Sequence, residues 1–117
     1  SENAAEDEYK TAARLRLAGL LLDQKKYDEA LKALDGANAK EFVALVADRR
    51  GDVLLAQGKT DDAKATFNKA WQAMEPTVEY RRLIEAKLTA LGASPQADKA
   101  LADKSTVDKA QTAGSAK

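Results

Sequence analysis

Apolar residues recur at intervals of three and four along most of the chain, the spacing that gathers them on one face of a helix. Ala12, Leu15, Leu17, Ala18, Leu21 and Leu22 make the first stripe, and Asn3 with Glu6 gives capping-box spacing ahead of it, so a first helix is predicted to end near Gln24. Lys25 and Lys26 leave room only for a tight turn before Tyr27, Ala30, Leu31, Leu34 and Ala37 form a second stripe. Asn38 and Glu41 repeat the cap spacing. Phe42, Leu45, Val46, Val53 and Leu54 then continue as a third helix that Gln57 and Gly58 close. Thr60 is predicted to cap a fourth helix, lined by Ala63, Phe67, Ala70, Trp71 and Met74. Pro76 forces a break before a fifth, from about Val78 to Leu91, with Gly92 as its stop.

Comparing the chain with itself shows that these helices are not independent. Leu21, Leu22, Gln24, Lys26, Asp28, Ala30 and Ala37 recur 33 residues later as Leu54, Leu55, Gln57, Lys59, Asp61, Ala63 and Ala70. Ala18 is answered by Gly51, and Leu34 by Phe67. Each copy reads as the end of one helix, a tight turn and a second helix, which is a helical hairpin. A hairpin that cannot bury its apolar face alone must stack on its neighbour.

These residues resemble the tetratricopeptide repeat. In that pattern small residues stand where two helices approach, here Ala18 and Gly51. An alanine lies in the second helix, here Ala30 and Ala63, followed by a large apolar residue, here Leu34 and Phe67. The resemblance implies an all-α fold, a tetratricopeptide-like right-handed α-solenoid of two helical hairpins plus a C-terminal capping helix. The repeats are degenerate: Arg14 and Ala47 stand where the pattern prefers Trp, and Arg50 where it prefers Leu. Longer phrases, ARLRLAGLLLDQKKYDEALKALD and FVALVADRRGDVLLAQGKTDDAKATFNKA, are similar to the C-terminal half of the YfgM family over roughly residues 10–92. That resemblance implies an ancillary subunit of the SecYEG translocon, at the periplasmic side of the bacterial inner membrane, binding the translocon and periplasmic chaperones. It also implies one N-terminal membrane anchor in the full-length protein, outside this stretch. Without the family likeness, the same hairpins describe a generic tetratricopeptide scaffold or peptide-binding adaptor of another cell-envelope or cytosolic complex.

Composition sharpens the picture by exclusion. The chain has 25 Ala and 14 Leu against only six Val plus Ile, which favours helix over strand. Nineteen Lys plus Arg cancel nineteen Asp plus Glu, so no basic field draws it to nucleic acid or an anionic membrane. With no Cys and no His, thiolate and imidazole chemistry and most zinc or copper ligation are absent, and neither cofactor nor enzymatic activity is expected. The paired acids Asp61 and Asp62 fall in a first helical turn, where the helix dipole favours anions without any catalytic role. Residues 93–117 are rich in Ala, Lys, Asp, Ser and Thr, with Leu101 and Val107 as the larger apolar side chains. Domain organisation therefore reads as a helical domain over 1–92 and a polar tail over 93–117, predicted mostly disordered, the alternative being a frayed helix that continues from the body across Pro95.

The binding surface expected of such a solenoid is its concave face, lined by the first helix of each hairpin. Repeat spacing places Leu15, Gly19 and Leu22 there, with Leu45, Asp48, Asp52 and Leu55, then Arg81 and Glu85 on the fifth helix. Leucines flanked by acids suit an extended or helical peptide with apolar anchors and basic flanks. Arg14, Arg16, Arg49, Arg50, Arg81 and Arg82 recur on the successive first helices, and nearby acids at helical spacing predict ion pairs within the chain. The tripeptide Arg50-Gly51-Asp52 lies inside a periodic helix, which disqualifies it as an exposed recognition loop.

Overall fold

The computed structural model describes residues 3–95. Five α-helices follow one another: α1 Ala4–Asp23, α2 Tyr27–Asp35, α3 Val43–Ala56, α4 Thr60–Ala73 and α5 Tyr80–Ala90, with a 3-10 turn over Lys40–Phe42 before α3. No strand occurs among the described residues, and α1/α2 and α3/α4 form the two expected hairpins with α5 behind them. The tail expected over 93–117 lies, beyond Pro95, outside the described residues.

Local chemistry explains most boundaries. The Asn3 side chain accepts the Glu6 amide at 3.1 Å and opens α1. At its far end Lys25 takes a left-handed conformation, φ 63°, and the Lys26 amide reaches back to the Leu21 carbonyl at 2.8 Å. Gly58, 33 positions on, repeats the turn at φ 83°, with the Lys59 amide on the Leu54 carbonyl at 2.9 Å. Glycine adopts this conformation without the steric cost that Lys25 bears. The turn occurs a third time at Gly92, φ 78°, where the Ala93 amide bonds the Leu88 carbonyl at 2.9 Å. That third turn comes 34 residues after the second.

Two predicted caps are corrected. Asn38 and Glu41 do not cap α3; the 3-10 turn begins behind Ala39, whose amide is taken by the buried hydroxyl of Thr11 at 3.0 Å. A long-range partner satisfies that donor, and α3 starts at Val43 with no side-chain cap. Thr60 is the first residue inside α4, and Lys59 stands at the cap position.

Packing follows the repeat. Ala18, Ala30, Ala33, Leu34 and Val53 form one core cluster; Ala63, Phe67, Ala70, Ile84 and Leu88 form the next. Val53 belongs to the second hairpin yet is wholly buried in the first hairpin's cluster, so the two units are nested and not merely adjacent. Ala18 and Gly51 are buried at equivalent places in α1 and α3. A β-carbon on Gly51 would stand 2.5 Å from the Phe67 ring. Only a hydrogen fits there, and this close approach is what lets α4 lie against α3.

The glycines give a discriminating test. Gly51→Ala gains roughly 1 kcal/mol of helix propensity but must displace a ring packed on all sides, which costs about 1–3 kcal/mol; a lower melting temperature is expected. At Gly19 a β-carbon would meet the Arg49 guanidinium at an ordinary 3.6 Å. Gly19→Ala is therefore expected to raise the melting temperature, and thermal denaturation of both variants checks the pair.

Candidate functional site

The face of α1 that carries Leu15, Gly19 and Leu22 turns toward the second hairpin, where Arg49 of α3 lies across Gly19. Leu15 and Leu22 are half-buried against the first core cluster, and Leu55 of α3 keeps 38% of its surface exposed. Arg49 pairs with Asp52 one turn on, at 3.8 Å. Leu45 lies farther along α3, where it joins Val43, Met74, Val78 and Tyr80 around a cavity of about 490 Å³.

Asp48 does not line the open groove as expected. It is 2% exposed, and both its oxygens are occupied: Tyr80 Oη donates to Oδ2 at 2.7 Å, and Lys87 Nζ donates to Oδ1 and Oδ2 at 3.0 and 3.1 Å. Lys87 Nζ also donates to Asp52 Oδ1 at 2.9 Å. One ammonium thus bridges two carboxylates of α3 and ties α5 to it, while sitting 5.3 Å from the centre of the Phe67 ring. Burial pushes the Asp52 carboxyl above its ordinary value; Lys87 pulls it back and the neighbouring Asp48 charge adds to the rise. Burial likewise raises the Tyr80 phenol, helped by its hydrogen bond to the Asp48 carboxylate.

Arg81 and Glu85 are also not groove residues. The Arg81 guanidinium stacks on the Trp71 ring of α4, 3.7 Å from its centre, and its Nε donates to the Trp71 carbonyl at 2.9 Å. The Trp71 indole donates to Glu85 Oε2 at 2.9 Å. The cause is register: a strict 33-residue step carries Asp48 and Asp52 onto Arg81 and Glu85, whereas the observed step into α5 is 34, as the turn at Gly92 shows. With 34, Val46 and Val53, the residues that seat α3 on the first hairpin, correspond to Tyr80 and Lys87. Both were missed from sequence because a tyrosine and a lysine replace two valines. The signal that would have found them is the glycine-to-glycine distance, 58 to 92.

The remaining arginines are largely engaged within the chain. Arg14 bonds the Ala33 carbonyl at 3.4 Å, and Arg50 pairs with Asp35 at 3.1 Å, joining α3 to α2. Arg16 and Arg82 are exposed. Among the described residues, no three acidic, histidine or cysteine side chains converge as a metal site.

Nested hairpins, small residues at the crossings and a left-handed turn closing each first helix agree with a match over residues 1–93 to the tetratricopeptide repeat-like domain. The chain belongs to that family. Two curated relatives carry the name ancillary SecYEG translocon subunit. One, from Neisseria gonorrhoeae, is 39% identical over 79 residues, 68% of this chain and 38% of the relative. The other, from Escherichia coli, is 35% identical over 71 residues, 61% of this chain and 32% of the relative. The chain therefore spans about a third of the length of these relatives, and the resemblance to the YfgM family is borne out. No solved structure gives a significant match.

Two variants test the bridge in this tetratricopeptide-like body. Lys87→Met leaves the buried Asp48 carboxylate with Tyr80 as its one remaining side-chain donor, and a loss of about 3 kcal/mol is expected in chemical denaturation. The folded state holds the Tyr80 proton more tightly than the unfolded chain. That contribution is present below about pH 10 and is lost as pH rises above it. The stability difference between wild type and Tyr80→Phe is accordingly expected to be constant through neutral pH and to shrink above about pH 10; a difference that is flat across that range contradicts the coupling.

Proposed function

We propose that this chain is a non-enzymatic protein-binding module of an ancillary SecYEG translocon subunit, working at the periplasmic side of the bacterial inner membrane. The observation that carries this is the identity of 39% over 79 residues to a protein bearing that name, in a fold whose family is the tetratricopeptide repeat-like domain. No helix among the described residues is long and apolar enough to cross a membrane, so this segment would meet its partners through the solenoid surface.

The concave side supplies that surface. Asp48, Asp52, Arg49 and Lys87 are paired with one another, so the chemistry this surface offers a partner is chiefly apolar: Leu22 and the exposed Leu55, with Leu15 and Gly19 further back along α1 and Leu45 along α3. Partners are translocon subunits and periplasmic chaperones, engaged through a helix or extended segment that inserts apolar side chains between these leucines.

Photo-crosslinking residues placed at Leu22 and Leu55 of the parent polypeptide, in membranes containing the translocon, are expected to capture translocon subunits or chaperones several-fold more often than the same residues at the exposed Lys32 and Lys69. Equal capture at all four positions discards the groove. Capture of none of these partners from any position discards the assignment to the translocon.

A further inference from the structure

The links that follow the two hairpins are fastened differently. Between α2 and α3 the buried Thr11 hydroxyl of α1 accepts the Ala39 amide at 3.0 Å and ties the link to the helix. A step of 33 carries Thr11 to Ala44 of α3, which is equally buried but has no hydroxyl to offer. The second link leaves α4 at Met74 in an extended conformation and turns over Pro76 and Thr77, where the Val78 amide bonds the Glu75 carbonyl at 3.1 Å.

The corner beside each link changes character with it. In the first hairpin a cavity of about 360 Å³ is lined by Asp7, Asn38, Lys40 and Glu41 together with Ala4 and Ala39. The same step carries that Lys40 and Glu41 to Ala73 and Met74, so the charged wall of the first corner becomes apolar in the second. There the cavity of about 490 Å³ around Val43, Leu45, Met74 and Val78 has room for an aromatic side chain, and Val43 and Val78 remain 57% and 39% exposed. Its rim is acidic. Glu41 and Glu75 line it against Lys40, with the exposed Glu79 next to Val78 in the link. Among the described residues these glutamates make no side-chain ion pair or hydrogen bond, whereas Asp48 and Asp52 on the concave side are met by Lys87 and Arg49.

We propose that this cavity is a second docking site, which takes a peptide segment with a bulky apolar side chain beside a lysine or arginine. The apolar side chain fills the space between Val43 and Val78, and the cation meets Glu41 and Glu75, whose charge nothing in the folded chain neutralises. The site shares Leu45 with the groove described above, but the inference does not depend on the translocon assignment.

Short synthetic peptides test it, titrated into the isotopically labelled full chain and followed by NMR: Gly-Lys-Phe-Leu-Lys-Gly, the same peptide with glutamates for lysines, and the same peptide with serines for the Phe-Leu pair. The first is expected to shift the amides of Val43, Met74 and Val78, and each of the others to bind about ten-fold more weakly. Reversing the rim with Glu41→Lys and Glu75→Lys, both at exposed positions, is expected to make the glutamate peptide the better ligand. Val78→Asp is expected to remove binding of the lysine peptide while the amides of α1 and α2 keep their positions. Equal affinity for the lysine and glutamate peptides overturns the proposal, and so does a preference that survives the reversed rim. Shifts centred on Leu22 and Leu55 instead, or no shift at millimolar peptide, overturn it as well.

Discussion

Everything in this fold depends on how closely two helices of one hairpin can approach. The Phe67 ring sits where a side chain on Gly51 would begin, and Leu34 has the equivalent relation to Ala18 in the first hairpin. A single methyl group in that place forces α4 outward. The displacement would be passed on, because Val53, on the opposite side of α3, is buried in the first hairpin's cluster. Stacking in a repeat protein is a sum of such nearest-neighbour contacts, so the spacing within a unit sets the spacing between units. Glycine in mid-helix, ordinarily a loss, is here the condition for the second hairpin to close.

The junction of α3 with α5 is built differently. Two valines that seat α3 on the preceding hairpin give way to Tyr80 and Lys87, and the partner surface responds with Asp48 and Asp52. A half-buried ammonium between two carboxylates is no bargain in stability, since partly desolvating three charges offsets much of their attraction. What it supplies is direction. Apolar ridges tolerate sliding, whereas the Lys87 ammonium reaches both carboxylates, and Tyr80 reaches Asp48, in one arrangement of α5. Burial pushes the Asp52 carboxyl up, and the shared Lys87 ammonium, with Arg49, does not fully offset that rise and the neighbouring Asp48 charge.

Most of the architecture was legible because period and turn chemistry agree. The stripes from Ala12 to Leu22 and from Tyr27 to Leu34, and their copies 33 residues on, became α1 to α4, and Ala18, Ala30, Ala63 and Phe67 are fully buried. Legibility failed where tertiary partners outcompeted local ones. Asn38 had the right spacing for a cap, but Thr11, 28 residues from Ala39 in sequence, took the amide that set the entry to α3. It failed again at α5, where one added residue turns a helix by about 100°. That rotation moved Arg81 and Glu85 to Trp71 and brought Tyr80 and Lys87 to the groove side. Asp48 was misplaced by the same error, since the pairing expected with arginines falls instead to Tyr80 and Lys87 of α5.

Correcting that register changes the chemistry that the proposed concave surface presents. Read from sequence, leucines alternated with acids, a surface suited to a peptide with apolar anchors and basic flanks. In the folded chain the acids are neutralised in place by Arg49 and Lys87, and a basic partner would have to displace a half-buried, hydrogen-bonded ammonium to reach them. Such an exchange trades equal charges and gains little. Leu55, exposed at the rim, and the half-buried Leu22 have no competing partner of that strength and lose only water on contact. If this face is the binding surface proposed above, its selectivity comes from the shape and spacing of apolar anchors, with charge confined to holding the helices that present them.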